Sequence, residues 1–363
     1  MTPPRSVLII ITRRIGDVLL ATPLIRSLKH AWPQAHVDAL VFAGTDALLE
    51  RNPDLAHVIT VPERPSFGEH LALLARIWRK YDLALSLLPG DRPTAYAWAA
   101  GRSSIGLLPA EGSQWWKRLL LSRSLPFDPL DTHTVAMHLA LADAVGIARS
   151  HEVVIGWGRE DEDRARQAVP FDPDHVAFAV LHCWPKFNYK MWHRSGWIEL
   201  AQHLTARGLR VILSGSNALE ELAYTDSVAS SLRGETVNVA GRISLPALAF
   251  LLSRARVYVG PDTAVTHIAA AVGTPTVALY GPSNPVKWGP WPKDYSGAPS
   301  PWMRHGSQAC GNVRLLQGTG RCVPCLLEGC ERHTESFSDC LRTLPPQRVI
   351  SAVDDLLRDG QRG

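Results

Sequence analysis

The sequence predicts an α/β protein of two doubly wound, Rossmann-like domains facing a central cleft, and three observations predict it. Short, wholly apolar runs alternate with helix-length amphipathic segments, the pattern of parallel sheets covered on both faces. That rhythm breaks once, in the polar stretch IGWGREDEDRARQAVPFDPDH (155–175), and then starts again. The length, 363 residues, exceeds the roughly 250–300 at which a single core stops growing. Domains are therefore expected at 1–160 and 161–345, with a C-terminal helix and tail at 346–363.

In the first half, SVLIII (6–11) is a continuous apolar strand, and Thr12 to Gly16 turn into a helix over DVLLATPLIRSLKHAWP (17–33). HVDALVF (36–42) is the next strand. LALLARIWRKY (71–81), LALSLL (83–88), AYAWAAG (95–101) and SSIGLL (103–108) continue the alternation. GSQWWKRLLLSRSLPF (112–127) joins two Trp, three basic residues and a Leu run, suiting a helix that rests on an anionic membrane interface or one that faces the core.

In the second half VAFAVLH (176–182), RVILSG (210–215), VNVAG (237–241), VYVG (257–260) and TVALYG (276–281) read as strands. Helices are expected between them, over SGWIELAQHLTARG (195–208), ALEELAYTDSVASSL (218–232), SLPALAFLLSRA (244–255) and TAVTHIAAAVG (263–273). The last helix starts near Pro346 and stops at Gly360. In such sheets ligands bind beyond the carboxyl ends of the strands.

Composition narrows the class. Hydrophobic residues at 46% and charged residues at 20% describe an ordinary globular protein. No apolar run reaches the ~18 residues of a membrane helix, and Arg13, Arg14 and Asp17 interrupt the N-terminal apolar run where a signal peptide would continue, so a cytoplasmic chain is expected. A net charge of +4 and a pI near 8.8 are too mild for a nucleic-acid binder and suit a phosphorylated or membrane-surface partner. Twelve Trp fit sugars, lipid interfaces or packed cores.

Four stretches carry chemistry. In GPDTAVTHIAAAVG (260–273), Asp262 or Thr263 is placed to cap a helix that Gly273 ends, and small Ala264 lets an anion approach its first N–H groups. TRRIGD sets Gly16 and Asp17 at the edge of the first strand, where an ionised carboxylate can take a proton from a hydroxyl. HCWPKFNYKMW places Lys186 and Lys190 where cations can meet a diphosphate and stand in for a metal ion. LSGSNALEELA puts Glu220 and Glu221 just past a strand end, the place from which acids bind ribose hydroxyls.

Together IGDVLLATPLIRSLKHAWPQAHVDAL, HCWPKFNYKMW and GPDTAVTHIAAAVGTPTVALYGPSNPVKWGPW resemble the ADP-heptose:lipopolysaccharide heptosyltransferases, glycosyltransferase family nine, most of all those adding a branching inner-core heptose. The resemblance covers most of the chain and implies a GT-B fold. It implies an inverting, metal-independent transfer from ADP-L-glycero-D-manno-heptose to a hydroxyl of the lipid A–core acceptor at the inner-membrane surface. By the same resemblance Asp17 is the catalytic base, and Lys190, with Lys186, contacts the donor diphosphate. Asp262, Thr263, Ala264, Val265 and His267 form the donor-binding DTxxxH segment, Glu220 or Glu221 holds the ribose, and Ile243 packs on adenine. Many relatives carry a lysine where this chain has Ile11, which leaves Arg13, Arg14 and Gly16 to meet the acceptor.

Cys322, Cys325, Cys330 and Cys340 are spaced C-x2-C-x4-C-x9-C, within a Cys-rich segment that begins at Cys310, with Cys183 far away. In a cytoplasmic chain such clustering fits a structural zinc or other metal site, with His333 as a substitute ligand, and equally free thiols, more than disulfides. The residues alone also admit transfer of another nucleotide sugar or to another glycolipid, a sugar-nucleotide epimerase, and a non-catalytic nucleotide-sugar-binding protein.

Overall fold

The computed structural model describes residues 2–110, 115–232, 236–297 and 299–359. The chain divides into two compact units, Met1–Gly156 with Ser296–Ser300, and Trp157–Tyr295 with Pro301–Gly363. Within the polar stretch a helix forms over Arg159–Ala168, and it belongs to the second.

The first unit is built on six parallel strands: β1 (Ser6–Ile11), β2 (His36–Phe42), β3 (His57–Val61), β4 (Tyr81–Ser86), β5 (Gly101–Pro109) and β6 (Arg123–Phe127). They lie in the order β3-β2-β1-β4-β5-β6, that of a dinucleotide-binding sheet. The side chains of β1 alternate between two cores. Val7, Ile9 and Ile11 pack with Leu24, Leu28 and Leu141 of helices Thr22–Ala31 and Thr134–Val145, while Leu8 and Ile10 pack with Ile77, Tyr96 and Ala97 of helices Phe67–Ile77 and Asp91–Ala100. Both faces of the strand are covered, so the run is apolar throughout.

Three local differences from the sequence reading have identifiable causes. The helix expected over 17–33 is two, Ile15–Leu19 and Thr22–Ala31, because Pro23 opens a new first turn and the Thr22 hydroxyl donates to the Leu19 carbonyl at 2.7 Å. The helix expected from residue 71 starts at Phe67, behind a capping box in which Ser66 and Glu69 bind each other's backbone N–H groups. Within 112–127, the first three residues lie outside the described part, Trp115–Leu120 is helical, and the remainder turns into edge strand β6, where Pro126 is tolerated. Lys117 of that helix is buried, its ammonium 2.6 Å from the Asp91 carboxylate and 2.8 Å from the Pro89 carbonyl.

The second unit carries β7 (Phe178–His182), β8 (Arg210–Ser214), β9 (Thr236–Asn238), β10 (Val257–Pro261), β11 (Thr276–Tyr280), β12 (Gln308–Cys310) and β13 (Val313–Gln317) in the order β12-β13-β11-β10-β7-β8-β9. Among the described residues only the β12–β13 pair is antiparallel. Without β12 the order repeats that of the first sheet. Buried Trp192 and Trp197 meet edge to face at 4.9 Å in its main core. The C-terminal helix, Pro346–Asp359, packs into the same core through Val349, Val353 and Leu356; Gly360, its expected stop, lies outside the described residues.

Candidate active site

Strand β10 ends at Pro261, and after two residues the helix Ala264–Val272 begins. Gly260 is required inside the strand, because a Cβ there would fall 2.0 Å from the Tyr258 hydroxyl, which bonds Thr266 on the first turn at 2.9 Å. Gly273 closes the helix in the left-handed region, at φ +92°. The capping expected of Asp262 or Thr263 is not made by either side chain: Thr263 is the N-cap residue, and its hydroxyl meets the Thr266 hydroxyl at 3.5 Å rather than a backbone N–H of the turn. The helix therefore presents its first N–H groups and positive dipole end without a carboxylate cap.

Asp262 is engaged elsewhere. Its carboxylate lies 2.5 Å from the Lys190 ammonium, which also donates to the Asp262 carbonyl at 3.3 Å, and it accepts from the Tyr280 hydroxyl at 3.3 Å. Lys190 sits on a short turn, Asn188–Lys190, eight residues beyond the end of β7. Burial works to raise the Asp262 carboxyl, but Lys190, His267 and Ser283 outweigh it and hold the group below its ordinary value. Tyr280, whose phenol burial and Asp262 push up, stays a donor. The result is a desolvated ion pair beside an uncapped helix start, an arrangement that can receive a diphosphate.

His267 faces the same place from the second turn. It is 5% exposed, and its Nδ1 has no hydrogen-bond partner among the described residues. Burial lowers its pKa from 6.5 to about 4, with Lys190 acting in the same direction and Asp262 against it. The folded state thus refuses a proton that the unfolded chain accepts. The associated stability is present above pH 6.5 and is lost as pH falls toward 4, about 2 kcal/mol of it between pH 7 and pH 5. His267→Gln is expected to lack this loss, which urea unfolding of both proteins at the two pH values measures; equal losses would assign the acid sensitivity to other groups.

The acids after β8 separate. Glu221 is buried, accepts from the Ser216 hydroxyl, and lies so close to Gly215 that a Cβ there would be 2.8 Å from Oε1. Glu220 is exposed and lines a cavity of about 360 Å³ with Trp184, Asn188, Met191, Arg194, Tyr224 and Arg342. Lys186 is also exposed, its ammonium 6.0 Å above the Phe187 ring, and only Lys190 of the two lysines joins Asp262. Ile243 is half-buried between β9 and the helix Leu245–Arg254, and Ala264 and buried Val265 open the helix that follows β10.

In the first unit Asp17 is 9% exposed on the one-turn helix after β1, with Arg13 Nε 3.5 Å from its Oδ2. Arg13 and Arg14 are exposed and Gly16 is half-buried beside them. A buried carboxylate flanked by solvent-facing guanidinium groups can accept a proton next to an anionic sugar.

Of the cysteines, Cys340 is buried, Cys325 is half-buried, and Cys322 and Cys330 are exposed, all as free thiols. Burial raises the Cys340 thiol to about 12, and Cys325, Cys330 and Cys322 push it the same way. His333 is paired with Glu331 at 3.0 Å. Sequence reasoning missed Tyr280, Thr266 and Tyr258. Their signal was the register: Gly260 pairs with Ala278 and Pro261 with Leu279, which sets Tyr280 beside Asp262.

Comparison with known proteins defines the class. The glycosyltransferase family 9 (heptosyltransferase) pattern matches residues 78–302, and the chain belongs to that family. It is 25% identical to lipopolysaccharide heptosyltransferase 3 of Escherichia coli, over 96% of this chain and 98% of the relative. It is 26% identical to lipopolysaccharide heptosyltransferase 2 of E. coli K12, over 97% and 98%. Among solved structures it resembles E. coli ADP-heptose LPS heptosyltransferase II (TM-score 0.74, 20% identity, 98% and 99% of the two chains). It also resembles E. coli heptosyltransferase WaaC with ADP (TM-score 0.72, 20% identity, 97% and 99%). The fold is GT-B, and the protein is a glycosyltransferase.

Proposed function

We propose that the protein moves heptose from ADP-L-glycero-D-manno-heptose to a hydroxyl of the lipopolysaccharide inner core with inversion at the anomeric carbon. The observation that carries this reading is the Lys190–Asp262 pair at the start of the helix Ala264–Val272, within a family whose relatives are named lipopolysaccharide heptosyltransferases.

In this reading the second unit binds the donor. Glu221, rather than Glu220, holds the ribose, because it is the acid fixed against the Gly215 turn, and Ile243 covers adenine. Lys190 and the N–H groups of residues 264–266 take the diphosphate, with exposed Lys186 reaching its outer oxygens. As the bond from the anomeric carbon to the diphosphate breaks, its electron pair leaves on ADP and is stabilised there. Asp17 takes the proton of the attacking hydroxyl as the new glycosidic bond forms, and Arg13 and Arg14 hold acidic groups of the acceptor. No step calls for a catalytic metal ion.

The test is ADP release from the donor by purified protein, with and without truncated lipopolysaccharide, in EDTA. Acceptor-dependent release is expected; donor binding without release on any core acceptor would favour another acceptor or a binding role. Glu221→Gln is expected to weaken ADP binding about tenfold, the loss of a charge-assisted hydrogen bond, and Glu220→Gln to leave it unchanged. Calorimetric titration decides this, and the reverse result would exchange the two roles.

The acceptor is a membrane glycolipid, so the protein works at the inner face of the inner membrane. Trp115 and Leu119, 67% and 75% exposed beside Arg118, supply an apolar, basic contact for anionic lipid. Co-sedimentation with phosphatidylglycerol vesicles should fall on Trp115→Ser with Leu119→Ser; unchanged binding would remove this helix from the contact.

A further inference from the structure

We propose, resting on the nucleotide site assigned above to the second unit, that His182 recognises the ribose: its Nε2 accepts a hydrogen bond from one of the two ribose hydroxyls, and Glu221 accepts from the other.

His182 is the last residue of β7, the strand beside which the winding of the second sheet reverses, and in such sheets this is where ligands bind. It is paired across the ladder with Ser214, the last residue of β8. The imidazole is 6% exposed, and Nδ1 lies 3.2 Å from both the Ser214 carbonyl and the Ser214 hydroxyl. The carbonyl can only accept. The hydroxyl donates its own proton to the Leu181 carbonyl at 3.4 Å, so it too is left as an acceptor. Both partners therefore place the ring proton on Nδ1 and leave Nε2 as a bare lone pair. Burial lowers the pKa of the ring, with Glu221 and the Ser214 carbonyl acting against it, and so favours the neutral form.

Buried polar atoms are normally paired. Among the described residues Nε2 takes no hydrogen bond, and it is not one of the polar atoms sealed in without a partner, so it opens toward solvent at the end of β7. A lone pair there repels phosphate oxygens and attracts O–H groups. It suits the polyol part of a nucleotide and not the diphosphate, for which Lys190 and the start of the helix Ala264–Val272 supply donors.

What stands next to the ring selects the ribose. The turn after β8, residues 214–216, holds both acceptors. Ser214 fixes His182, and the Ser216 hydroxyl donates to Glu221, whose Oε1 would lie 2.8 Å from a Cβ on Gly215. A ribose brings two adjacent O–H donors, one for each acceptor. A deoxyribose leaves one acceptor unpaired, and a desolvated polar group without its partner costs more than the bond contributed. The pair is thus a filter for ribonucleotides.

The test is calorimetric titration of the full chain with ADP, 2′-deoxy-ADP and 3′-deoxy-ADP. On the parent protein, removing either hydroxyl should weaken binding about fivefold or more, the worth of one hydrogen bond. His182→Asn can keep an amide donor where Nδ1 stood and has nothing at Nε2. It should bind ADP about five- to tenfold more weakly, and for one of the two deoxynucleotides it should show no further loss, because the partner of the missing hydroxyl is already gone. Deoxynucleotide penalties as large in the variant as in the parent would overturn the proposal. Should the variant fail to fold, the parent titrations still decide against it if only one hydroxyl matters, since the second acceptor would then have nothing to receive. Nucleotide affinity is read without any sugar transfer, so this proposal can fail while the heptosyltransferase reading stands; a parent that binds no ADP would overturn both.

Discussion

Asp17→Ala is expected to keep its fold and to transfer sugar about 10²–10⁴-fold more slowly, the usual consequence of removing a general base. Asp17 lies in a helix of five residues, and its ion pair with Arg13, whose side chain is 44% exposed, is of a kind worth little to stability. The fall should therefore appear in kcat with little change in donor KM or in the melting temperature. Asp17→Asn, which keeps the shape and removes the basic oxygen, should fall as far as alanine. If the asparagine variant turned over near the parent rate, proton removal would have to be assigned elsewhere, and Asp17 would be a positioning residue.

Lys190→Ala is expected to be damaged twice. Removing a donor aimed at a developing oxyanion lowers kcat about 10²–10³-fold. Removing the cation from a buried pair also leaves the Asp262 carboxylate, 9% exposed, without its partner, which costs about 3–5 kcal/mol. The two losses can be separated. Lys190→Ala with Asp262→Asn removes both charges and should regain most of the stability while turnover stays low. Denaturant unfolding and ADP-release assays on the single and double variants measure both. A double variant as unstable as the single one would show that Lys190 contributes through packing of its stem rather than through its charge.

What the sequence disclosed follows from how local each signal is. The helix Ala264–Val272 was readable because its stop, its small residues and the strands on either side lie within one run of about twenty residues. β1 and β7 were readable because both faces are buried. β3, β6, β12 and β13 were not. The first three are short and lie at or next to a sheet edge, and β6 carries a proline and alternates poorly. The choice between Glu220 and Glu221 could not be read either, since the two are adjacent at the start of one helix and only packing against Gly215 distinguishes them. The Lys190–Asp262 pair joins residues 72 positions apart, and nothing in either segment announces the other.

The shared strand order has a consequence for how the chemistry is divided. In each sheet the direction of winding reverses between two central strands, β1 and β4 in the first, β7 and β10 in the second. Asp17 follows β1 and Lys190 follows β7, so they hold corresponding places in two copies of one topology, one negative and one positive. A duplicated half-protein would inherit two such mouths with the same charge and the same ligand. Here the matching places differ, a buried carboxylate beside Arg13 in one and a lysine paired with Asp262 in the other, so the two halves are not interchangeable.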